Sequence, residues 1–444
     1  MNQFIFKSFN FDIQKKQIQL IYLYKELEFI EKLTINSNLK IKQDINQNLL
    51  DKMLELLHLV SGVSYIKAFL DKGIEIKTPK LSLNLSNFLN STYKKGLGEF
   101  GIINNLNIAD KFSFTNSLEN VEDDLEDKTN KKLKSKKILV PVGGGKDSLT
   151  TLEVLKKLDV VPFVVGSNKI ILNQIKNYPF HIFIKREISS ELFKLNKNGA
   201  LNGHIPITAI ISVLSIVAAE LFNISDIALS LESSANEATI NNVNHQYSKS
   251  FEFESELSNL INAEYTKDIK IFSLLRPLSE LQITKIFTSN KEHLHKFASC
   301  NDNFKIKQTK EKTDSLWCNN CPKCSFVYLL LSYFLDDKKV IEIFRNDLLN
   351  DINQLNGFKE LLEIDNKQKP FECVGETNES RFIFFNLINK PGFKNKIIIK
   401  KLKNNKIFTD FNNTFYKKKY LDNLNQEHLV PKHFLELLNE HLRA

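Results

Sequence analysis

The sequence predicts an α/β protein with a parallel sheet, and two observations support that fold class. After residue 137, short apolar strands alternate with amphipathic helices, as in parallel sheets covered by helices on both faces. Before that series, alternating hydrophobic runs and a helical pattern favour an antiparallel meander with helices. A chain of 444 residues that is 42% hydrophobic can bury a core in roughly two or three domains.

The N-terminal part is predicted to be an α+β substrate domain over residues 1–118. Its predicted strands are Phe4 to Phe11, Gln17 to Tyr24 and Glu28 to Ile35, and its predicted helices are Leu49 to Val63 and Leu85 to Lys95. Residues 119–136 are almost entirely charged and polar, first acidic and then basic. We interpret them as a linker between domains, although an ordered lid would have the same composition.

The central series predicts a parallel-sheet domain over residues 137–299. Its strands are Lys137 to Val142, Val160 to Gly166, His181 to Lys185, Asp226 to Leu231 and Ile269 to Ser273, and its helices are Leu149 to Leu158, Ile170 to Asn177 and Ile207 to Phe222. Ligands on such sheets bind in the loops at the carboxyl ends of the strands. Residues that directly follow these strands are therefore candidates for a binding site.

The C-terminal third divides into two further parts. Residues 300–349 are predicted to be a cysteine-containing helical segment, with helices over Ser325 to Leu335 and Lys339 to Leu349. Residues 350–444 are predicted to be an α+β extension, with strands over Arg381 to Leu387 and Lys396 to Leu402 and a helix over His428 to His441.

The net charge of +9 does not by itself indicate a nucleic-acid partner. Lysine is accompanied by abundant Asn, Ile and Phe, and acidic residues are interspersed rather than excluded. The longest apolar stretch, Ile207 to Phe222, has about 16 residues and contains Glu220, which is short of the ~20 residues that cross a bilayer. The N-terminus lacks a signal-peptide pattern. We therefore expect a cytoplasmic protein without a membrane partner.

The strongest motif is a strand, three glycines and a helix, Gly143-Gly144-Gly145-Lys146-Asp147-Ser148. Consecutive glycines let the backbone turn tightly and point successive N–H groups into one concavity, and the helix N-terminus adds partial positive charge. This pattern is typical of a phosphate-binding loop. A Walker loop would need Gly at Val140 and Ser or Thr at Asp147, and a dinucleotide-binding loop would need Gly at Ser148.

A second constellation is formed by four of the five cysteines, Cys300, Cys318, Cys321 and Cys324. Two Cys-x-x-Cys steps share Cys321, and Cys300 adds a fourth soft ligand upstream. Four thiolates favour a closed, tetrahedral structural zinc site over a disulfide framework. A set of free buried thiols is the alternative.

Two polar segments are predicted to face a ligand. The run Glu232-Ser233-Ser-Ala-Asn236-Glu237 follows a predicted strand, and the loop that contains His204 ends at a buried helix. The next polar segment contains His245, Gln246, Tyr247 and Lys249. Each histidine alone could be a satisfied loop residue, but its position after a sheet strand favours acid–base chemistry.

The glycine loop resembles the Ser-Gly-Gly-x-Asp-Ser signature of the PP-loop ATP pyrophosphatases, with Gly143 in place of the first serine. The resemblance implies cleavage of ATP to AMP and pyrophosphate, with Asp147 helping either to hold Mg²⁺ or to orient the loop. The residues that it assigns to ATP binding are Gly143, Gly144, Gly145, Lys146, Asp147, Ser148 and Gly166. Arg276-Pro-Leu278 resembles the second phosphate-side element of these enzymes.

The chain as a whole resembles the ATP-dependent UDP-N-acetylmuramoyl-L-alanyl-L-glutamate epimerases. The resemblance rests on the motifs above together with Gly96-Leu-Gly-Glu-Phe100, Trp317-Cys-x-x-Cys-Pro-Lys-Cys324 and Lys369-Pro-Phe-Glu-Cys373-Val-Gly375. It implies conversion of the terminal L-glutamate of a UDP-muramoyl dipeptide to D-glutamate in peptidoglycan precursor synthesis, with ATP and Mg²⁺. The small-molecule partners would be ATP and the dipeptide, made by a ligase that adds L-Glu to UDP-N-acetylmuramoyl-L-Ala.

Adenylation explains why such a reaction would use ATP. A carboxylate makes removal of the neighbouring α-proton costly, whereas the carbonyl of an acyl-adenylate stabilises the resulting enolate. Inversion then requires groups on both faces of the α-carbon. The candidate catalytic residues are Lys146, Asp147, His204, His245 and Cys373. The candidate substrate contacts are Glu232, Ser233, Asn236, Glu237, Gln246, Tyr247, Lys249 and Arg276.

Three alternatives stay open from the sequence. Cys373 could equally be a small buried residue without a chemical role. A ligase of tRNA or nucleobase modification, similar to the 7-cyano-7-deazaguanine synthases, would account for the basic charge and the four cysteines, although those enzymes carry the loop near their start. A catalytically silent ATP-binding or zinc-stabilised scaffold is the third, and the intact Lys146, Asp147 and Ser148 argue against it.

Overall fold

The computed structural model describes residues 2–117, 135–236, 243–301, 316–370 and 372–443. The strands in these ranges are β1 (Gln3–Asp12), β2 (Gln17–Tyr24), β3 (Leu27–Ser37), β4 (Glu75–Lys77), β5 (Ser135–Pro141), β6 (Val160–Val165), β7 (Ile182–Glu187), β8 (Ile224–Leu229) and β9 (Lys270–Ser273). The predicted linker, residues 119–136, lies outside the described residues except for its last two residues, which begin β5.

The α-helices surround this sheet. They are α1 (Gln47–Ser61), α2 (Val63–Ile66), α3 (Leu83–Gly96), α4 (Gly98–Ile103), α5 (Lys146–Val154), α6 (Lys169–Ile175), α7 (Ser190–Lys197), α8 (Ile207–Leu221), α9 (Phe251–Glu264), α10 (Glu280–Ser289), α11 (Pro322–Phe334), α12 (Asp337–Phe344), α13 (Leu355–Leu362), α14 (Thr377–Leu387), α15 (Ile397–Leu402), α16 (Asn413–Lys417) and α17 (Lys432–Arg443).

The strands form one mixed sheet in the order β4-β1-β2-β3-β7-β6-β5-β8-β9. The five strands from β5 to β9 run parallel to one another, which confirms the predicted α/β class. The N-terminal meander continues this sheet, because β3 pairs antiparallel with β7. An unpaired edge strand invites pairing with other chains, so this junction covers one edge of each part. The predicted parallel sheet is therefore one half of a larger mixed sheet.

The strand order places a topological switch point beside β5. The chain runs from β5 to β6 and β7 on one side, and then returns to β8 and β9 on the other side. Ligands bind in the crevice outside the carboxyl ends of strands at such a point. The segments that follow β5 and β8 are the glycine loop and the run that begins at Glu232.

Two predicted strands are wrong. Arg381 to Leu387 lies within α14, and Lys396 to Leu402 forms α15. Both are short apolar runs, for which periodicity does not separate a buried strand from a buried helix. Contact of α14 with α11 buries the apolar side chains of the first run. Within residues 350–370 and 372–443 the regular structure is entirely helical, so the extension predicted as α+β contains no described strand.

One helical stretch, Gln47–Lys72, is long and apolar enough to cross a bilayer by length and composition. However, 94% of its most apolar window is buried inside the protein. Its first part, α1, packs against α8, which contains the apolar run identified in the sequence. This burial is the one expected of a core helix.

A buried ion pair joins the two parts of the sheet where β3 meets β7. Arg186 Nε lies 2.7 Å from Oε1 of Glu31, whose side chain is fully buried. Glu31 Oε2 also accepts a hydrogen bond from the Tyr65 hydroxyl at 2.9 Å. Arg186 donates a further hydrogen bond to Ser64 Oγ at 2.9 Å. The charges are therefore compensated by groups from both parts of the chain.

Replacing Glu31 with Ala is expected to lower the free energy of unfolding by about 3 to 5 kcal/mol, because the Arg186 charge would stay buried without its carboxylate. Equilibrium denaturation followed by circular dichroism measures this loss. The matched control is Glu28→Ala, which removes an exposed partner of Lys7 and should cost no more than about 1 kcal/mol. Equal losses in the two variants would contradict the role assigned to the buried pair.

Candidate active site

The three glycines form the turn between β5 and α5. Gly144 has a φ of +85°, a left-handed conformation that favours glycine. A Cβ atom on Gly145 would lie 2.8 Å from Ser299 Oγ, so the loop also packs closely against the chain that follows α10. Helix α5 begins at Lys146, and no side chain of the described residues caps it. The N–H groups of its first turn are therefore available to an anion.

Lys146 is buried at the start of α5 and contacts the carboxylates of Asp147 and Glu280. Burial alone would lower the pKa of Lys146, but Asp147, Glu280 and Glu232 outweigh it and raise this pKa, so the ammonium group stays charged. Burial also raises the pKa of Glu379 to about 8, and the charge of Glu280 adds to that rise. Lys146, at the start of α5, is therefore surrounded by several acidic groups.

A cavity lies beside the glycine loop at the switch point. Its lining residues are Lys146, Asp147, Ser230, Leu231, Glu232, Lys249, Glu280, Ser299, Lys323, Phe326, Val327 and Cys373. Five of these are predicted site residues, and they come from four separate segments of the chain. The structure therefore brings Lys146 and Asp147 of the glycine loop together with Glu232, Lys249 and Cys373.

Cys373 and Lys249 form a close pair in this cavity, with 3.0 Å between Sγ and Nζ. Burial would lower the pKa of Lys249, but the charges of Cys373 and Glu232 outweigh it, so Lys249 stays protonated beside the sulfur. Gly375 has a φ of +63°, and a Cβ atom there would lie 2.4 Å from the Phe326 ring. This close packing holds the Cys373 segment against α11.

Arg276 was predicted to contact substrate, but it is fully buried. Its Nη1 donates to the carbonyl of Glu232 and its Nη2 donates to the carbonyl of Lys249, both at 2.6 Å. Its Nε donates to Glu254 Oε2 at 3.0 Å. The guanidinium therefore joins the backbone of two cavity segments instead of lining the cavity itself.

The remaining predicted contacts form hydrogen bonds with other groups of the protein. These bonds join Tyr247 to Glu256 (2.6 Å), Ser233 to Leu278 (3.0 Å), Asn236 to Phe251 (2.7 Å), Lys249 to Gln246 (3.4 Å) and Ser148 to Gly145 (3.3 Å). Gly166 has a φ of +104°, and a Cβ atom there would meet no described atom within 4 Å. Glu237 lies outside the described residues.

The two candidate histidines lie near Glu99, a residue of α4. His204 Nδ1 lies 3.8 Å from Glu99 Oε2. Burial lowers the pKa of His245 to about 4, with Glu99 opposing this shift and Lys249 adding to it. His245 is therefore neutral at pH 7. Neither histidine belongs to the lining of the cavity described above, but both lie within the electrostatic influence of Lys249.

Several residues of this region were not predicted as site residues from the sequence, among them Glu99, Glu280, Ser299 and Lys323. Glu99 lies directly after Gly96-x-Gly98, and Lys323 lies within the cysteine motif, so the neighbouring motifs contain a signal for both. Glu280 and Ser299 have no such local pattern. They reach the glycine loop through long-range packing of α10 and the segment that follows it.

The four predicted cysteine ligands converge. The Sγ atoms of Cys300, Cys318, Cys321 and Cys324 all lie within 4.8 Å of one another. The Sγ–Sγ distance is 3.5 Å between Cys321 and Cys324 and 3.8 Å between Cys318 and Cys324. Four thiolates at tetrahedral Zn–S distances would be ~3.8 Å apart, so the cluster fits a structural zinc ion. Lys323 lies within this motif and lines the cavity, so the cluster would also fix part of its wall.

Purified protein is expected to contain about one zinc ion per chain, because four cysteine ligands complete a structural site. Elemental mass spectrometry measures the zinc content. Cys324→Ala should lose the metal and unfold at a lower temperature than the wild type. Cys373→Ala is the control for removal of a cysteine and should retain the metal. A metal-free wild-type protein that unfolds at the same temperature with or without added zinc would contradict the assignment.

Comparisons with known proteins agree over most of the chain. A family model of the MurL N-terminal domain matches residues 1–274, and one of the MurL C-terminal domain matches residues 296–413. The chain is 33% identical over 398 residues to the UDP-N-acetyl-alpha-D-muramoyl-L-alanyl-L-glutamate epimerase of Xanthomonas oryzae pv. oryzae, which covers 88% of this chain and 86% of that protein.

Two further relatives with the same protein name have a similar degree of identity. The identity is 35% over 392 residues to the Micromonospora sp. protein, with 86% of this chain and 85% of that protein covered. It is 33% over 414 residues to the Salinispora tropica protein, with 90% and 88% covered. On these matches, the chain belongs to the MurL family of UDP-N-acetyl-alpha-D-muramoyl-L-alanyl-L-glutamate epimerases.

Proposed function

We propose that this protein epimerises the terminal L-Glu of UDP-N-acetylmuramoyl-L-Ala-L-Glu to D-Glu, with cleavage of ATP to AMP and pyrophosphate, in peptidoglycan precursor synthesis. The observation that carries this proposal is a single cavity shared by the glycine-loop residues Lys146 and Asp147 and by the Cys373–Lys249 pair. The first two residues suit nucleotide chemistry, and the pair suits proton transfer. The names of the relatives support the epimerisation.

The first step would be adenylation of the α-carboxylate of the glutamyl residue. A carboxylate oxygen attacks the α-phosphorus of ATP, the new O–P bond forms, and the bond to the β-phosphate oxygen breaks to release pyrophosphate. The Gly144 and Gly145 backbone, the first turn of α5 and Lys146 would receive the departing phosphates, as in PP-loop ATP pyrophosphatases. Gly166 directly follows β6, where the protein would contact the adenine base.

The acidic groups around Lys146 require a countercharge when a triphosphate enters. Asp147, Glu232 and Glu280 all line the cavity, and their charge would repel phosphates. Asp147, with Glu232 and Glu280 beside it, would hold a Mg²⁺ ion that neutralises the phosphate charge. Lys146 could then exchange its carboxylate contacts for phosphate contacts.

The second step would move a proton at the α-carbon. A base takes the α-proton from the acyl-adenylate, the C–H electron pair forms the enolate, and an acid on the other face returns a proton. Cys373 beside Lys249 is suited to one of these roles, and His204 or His245 to the other. Water then attacks the mixed anhydride, AMP leaves, and the D-glutamyl carboxylate remains.

The reaction would take place in the cytoplasm, where its small-molecule substrates are made. A preceding ligase would add L-Glu to UDP-N-acetylmuramoyl-L-Ala and so supply the substrate. No nucleic-acid or membrane partner is needed for this chemistry. Membership of the MurL family favours this reaction over the nucleobase ligase and over a silent scaffold.

The purified protein, incubated with Mg·ATP and UDP-N-acetylmuramoyl-L-Ala-L-Glu, is expected to form AMP and a dipeptide that contains D-Glu. Chromatography measures AMP, and chiral analysis after hydrolysis measures the configuration of glutamate. AMP without D-Glu, or D-Glu without ATP consumption, would refute the proposed coupling.

In the same assay, substitution of Cys373 separates the proton-transfer step from the adenylation step. Cys373→Ala is expected to lower epimerisation by ~10² or more, because a positioned proton-transfer group contributes that much. Its exchange of radiolabelled pyrophosphate into ATP should stay near the wild-type rate, because the glycine loop is intact. Full epimerase activity in Cys373→Ala would exclude this thiol from the reaction.

A further inference from the structure

The segment that connects α3 to α4 lies against two loops of the active site. A Cβ atom on Gly96 would lie 2.8 Å from the ring of Pro206, which directly precedes α8. A Cβ atom on Gly98 would lie 2.5 Å from Val243 Cγ1, in the segment that leads to α9. These close approaches seat the start of α4 between both loops. Glu99 is the next residue and therefore enters the site on a fixed backbone.

Glu99 lies beside the imidazole of His204, with 3.8 Å between Oε2 and Nδ1. The Glu99 side chain is 15% exposed, whereas the His204 side chain is 38% exposed. Lys67 anchors the loop that contains His204, because its Nζ donates to Asn202 Oδ1 at 2.6 Å and to the Gly203 carbonyl at 3.1 Å. The loop is therefore anchored while its imidazole stays accessible.

We propose that Glu99 is a positioning residue that holds His204 as the second proton-transfer group, on the face of the α-carbon opposite Cys373. This inference rests on the proposed function. A carboxylate at Nδ1 keeps the proton on that nitrogen and leaves Nε2 to exchange a proton with the substrate. The distance of 3.8 Å exceeds a hydrogen bond, as is common for catalytic pairs before substrate binds.

Exposure distinguishes His204 from His245. His245 is only 6% exposed, so its ring is enclosed by protein, whereas the His204 side chain is partly buried but still 38% exposed. Burial and the charges of Lys249 and Lys67 lower the pKa of His204, so its imidazole is neutral and can accept a proton. Glu99 is the carboxylate that would stabilise the imidazolium formed in that step.

The surroundings of Glu99 connect it to the thiol. Burial raises the pKa of Glu99, the charges of Cys373 and Glu372 add to this rise, and His245 opposes it. Glu99 therefore lies within the electrostatic influence of Cys373 while it contacts His204. The N-terminal part of the chain thus contributes directly to the proton-transfer region.

The test is Glu99→Gln, assayed separately with the L-Glu and the D-Glu epimers of the UDP-muramoyl dipeptide in D₂O. Epimerisation is expected to fall by ~10², mainly in kcat, because proton transfer on one face is impaired. Pyrophosphate exchange into ATP should stay within about twofold of the wild type, because adenylation is upstream. In Glu99→Gln, solvent deuterium should still enter the α-carbon of the epimer whose proton Cys373 removes. In Cys373→Ser, deuterium should instead enter the α-carbon of the other epimer.

Two further variants complete the experiment. Glu28→Gln changes an exposed carboxylate of β3 that pairs with Lys7, and it should behave as the wild type in every assay. Glu99→Asp keeps the charge and should recover part of the lost kcat. Epimerisation at the wild-type rate by Glu99→Gln would overturn the inference. So would a variant that loses pyrophosphate exchange and also loses deuterium exchange equally from both epimers. Failure of the wild-type protein to form AMP would instead refute the proposed function.

Discussion

The geometry of the candidate active site depends on the buried guanidinium of Arg276. It binds the carbonyls of Glu232 and Lys249 and is compensated by Glu254 of α9. A guanidinium presents several donors in a fixed plane, so one side chain can set the relative position of two loops. Removing it would leave a buried carboxylate and two buried carbonyls without their donor. The meeting of Lys249 with Cys373 follows from this constraint.

Two of the three lysines that line the cavity are each held by acidic or sulfur groups. Lys146 contacts Asp147 and Glu280, and Lys249 contacts Cys373. Both lysines stay protonated because these partners outweigh the effect of burial. In the proposed reaction, the first lysine would be transferred to phosphate, while the second would remain with the thiol. Nucleotide chemistry and proton transfer would then not compete for the same cation.

Local patterns made the glycine loop and the four-cysteine cluster predictable. The turn needs a left-handed backbone at Gly144, and the cysteines include two Cys-x-x-Cys steps, a spacing typical of metal-binding motifs. In both motifs, most of the residues that allow the prediction are close together in the sequence. The α/β class was predictable for the same reason, because strand and helix alternate along the chain.

Features that depend on distant contacts were not predictable in this way. The pairing of β3 with β7 joins residues about 150 positions apart, and no local pattern specifies it. The helical state of α14 is decided by its burial against α11, and the buried position of Arg276 is decided by Glu254 and two carbonyls. Glu99 is an intermediate case, because the two adjacent glycines indicate a close approach but not its partner.

In the proposed mechanism, nucleotide cleavage activates the glutamyl α-carbon for proton transfer. The most direct measurement is deuterium incorporation at that carbon in D₂O, with Mg·ATP, with an ATP analogue that cannot break between the α- and β-phosphates, and without nucleotide. We expect deuterium incorporation only in the presence of Mg·ATP, because only the acyl-adenylate makes the α-proton acidic. Incorporation without nucleotide, or at an equal rate with the analogue, would contradict it.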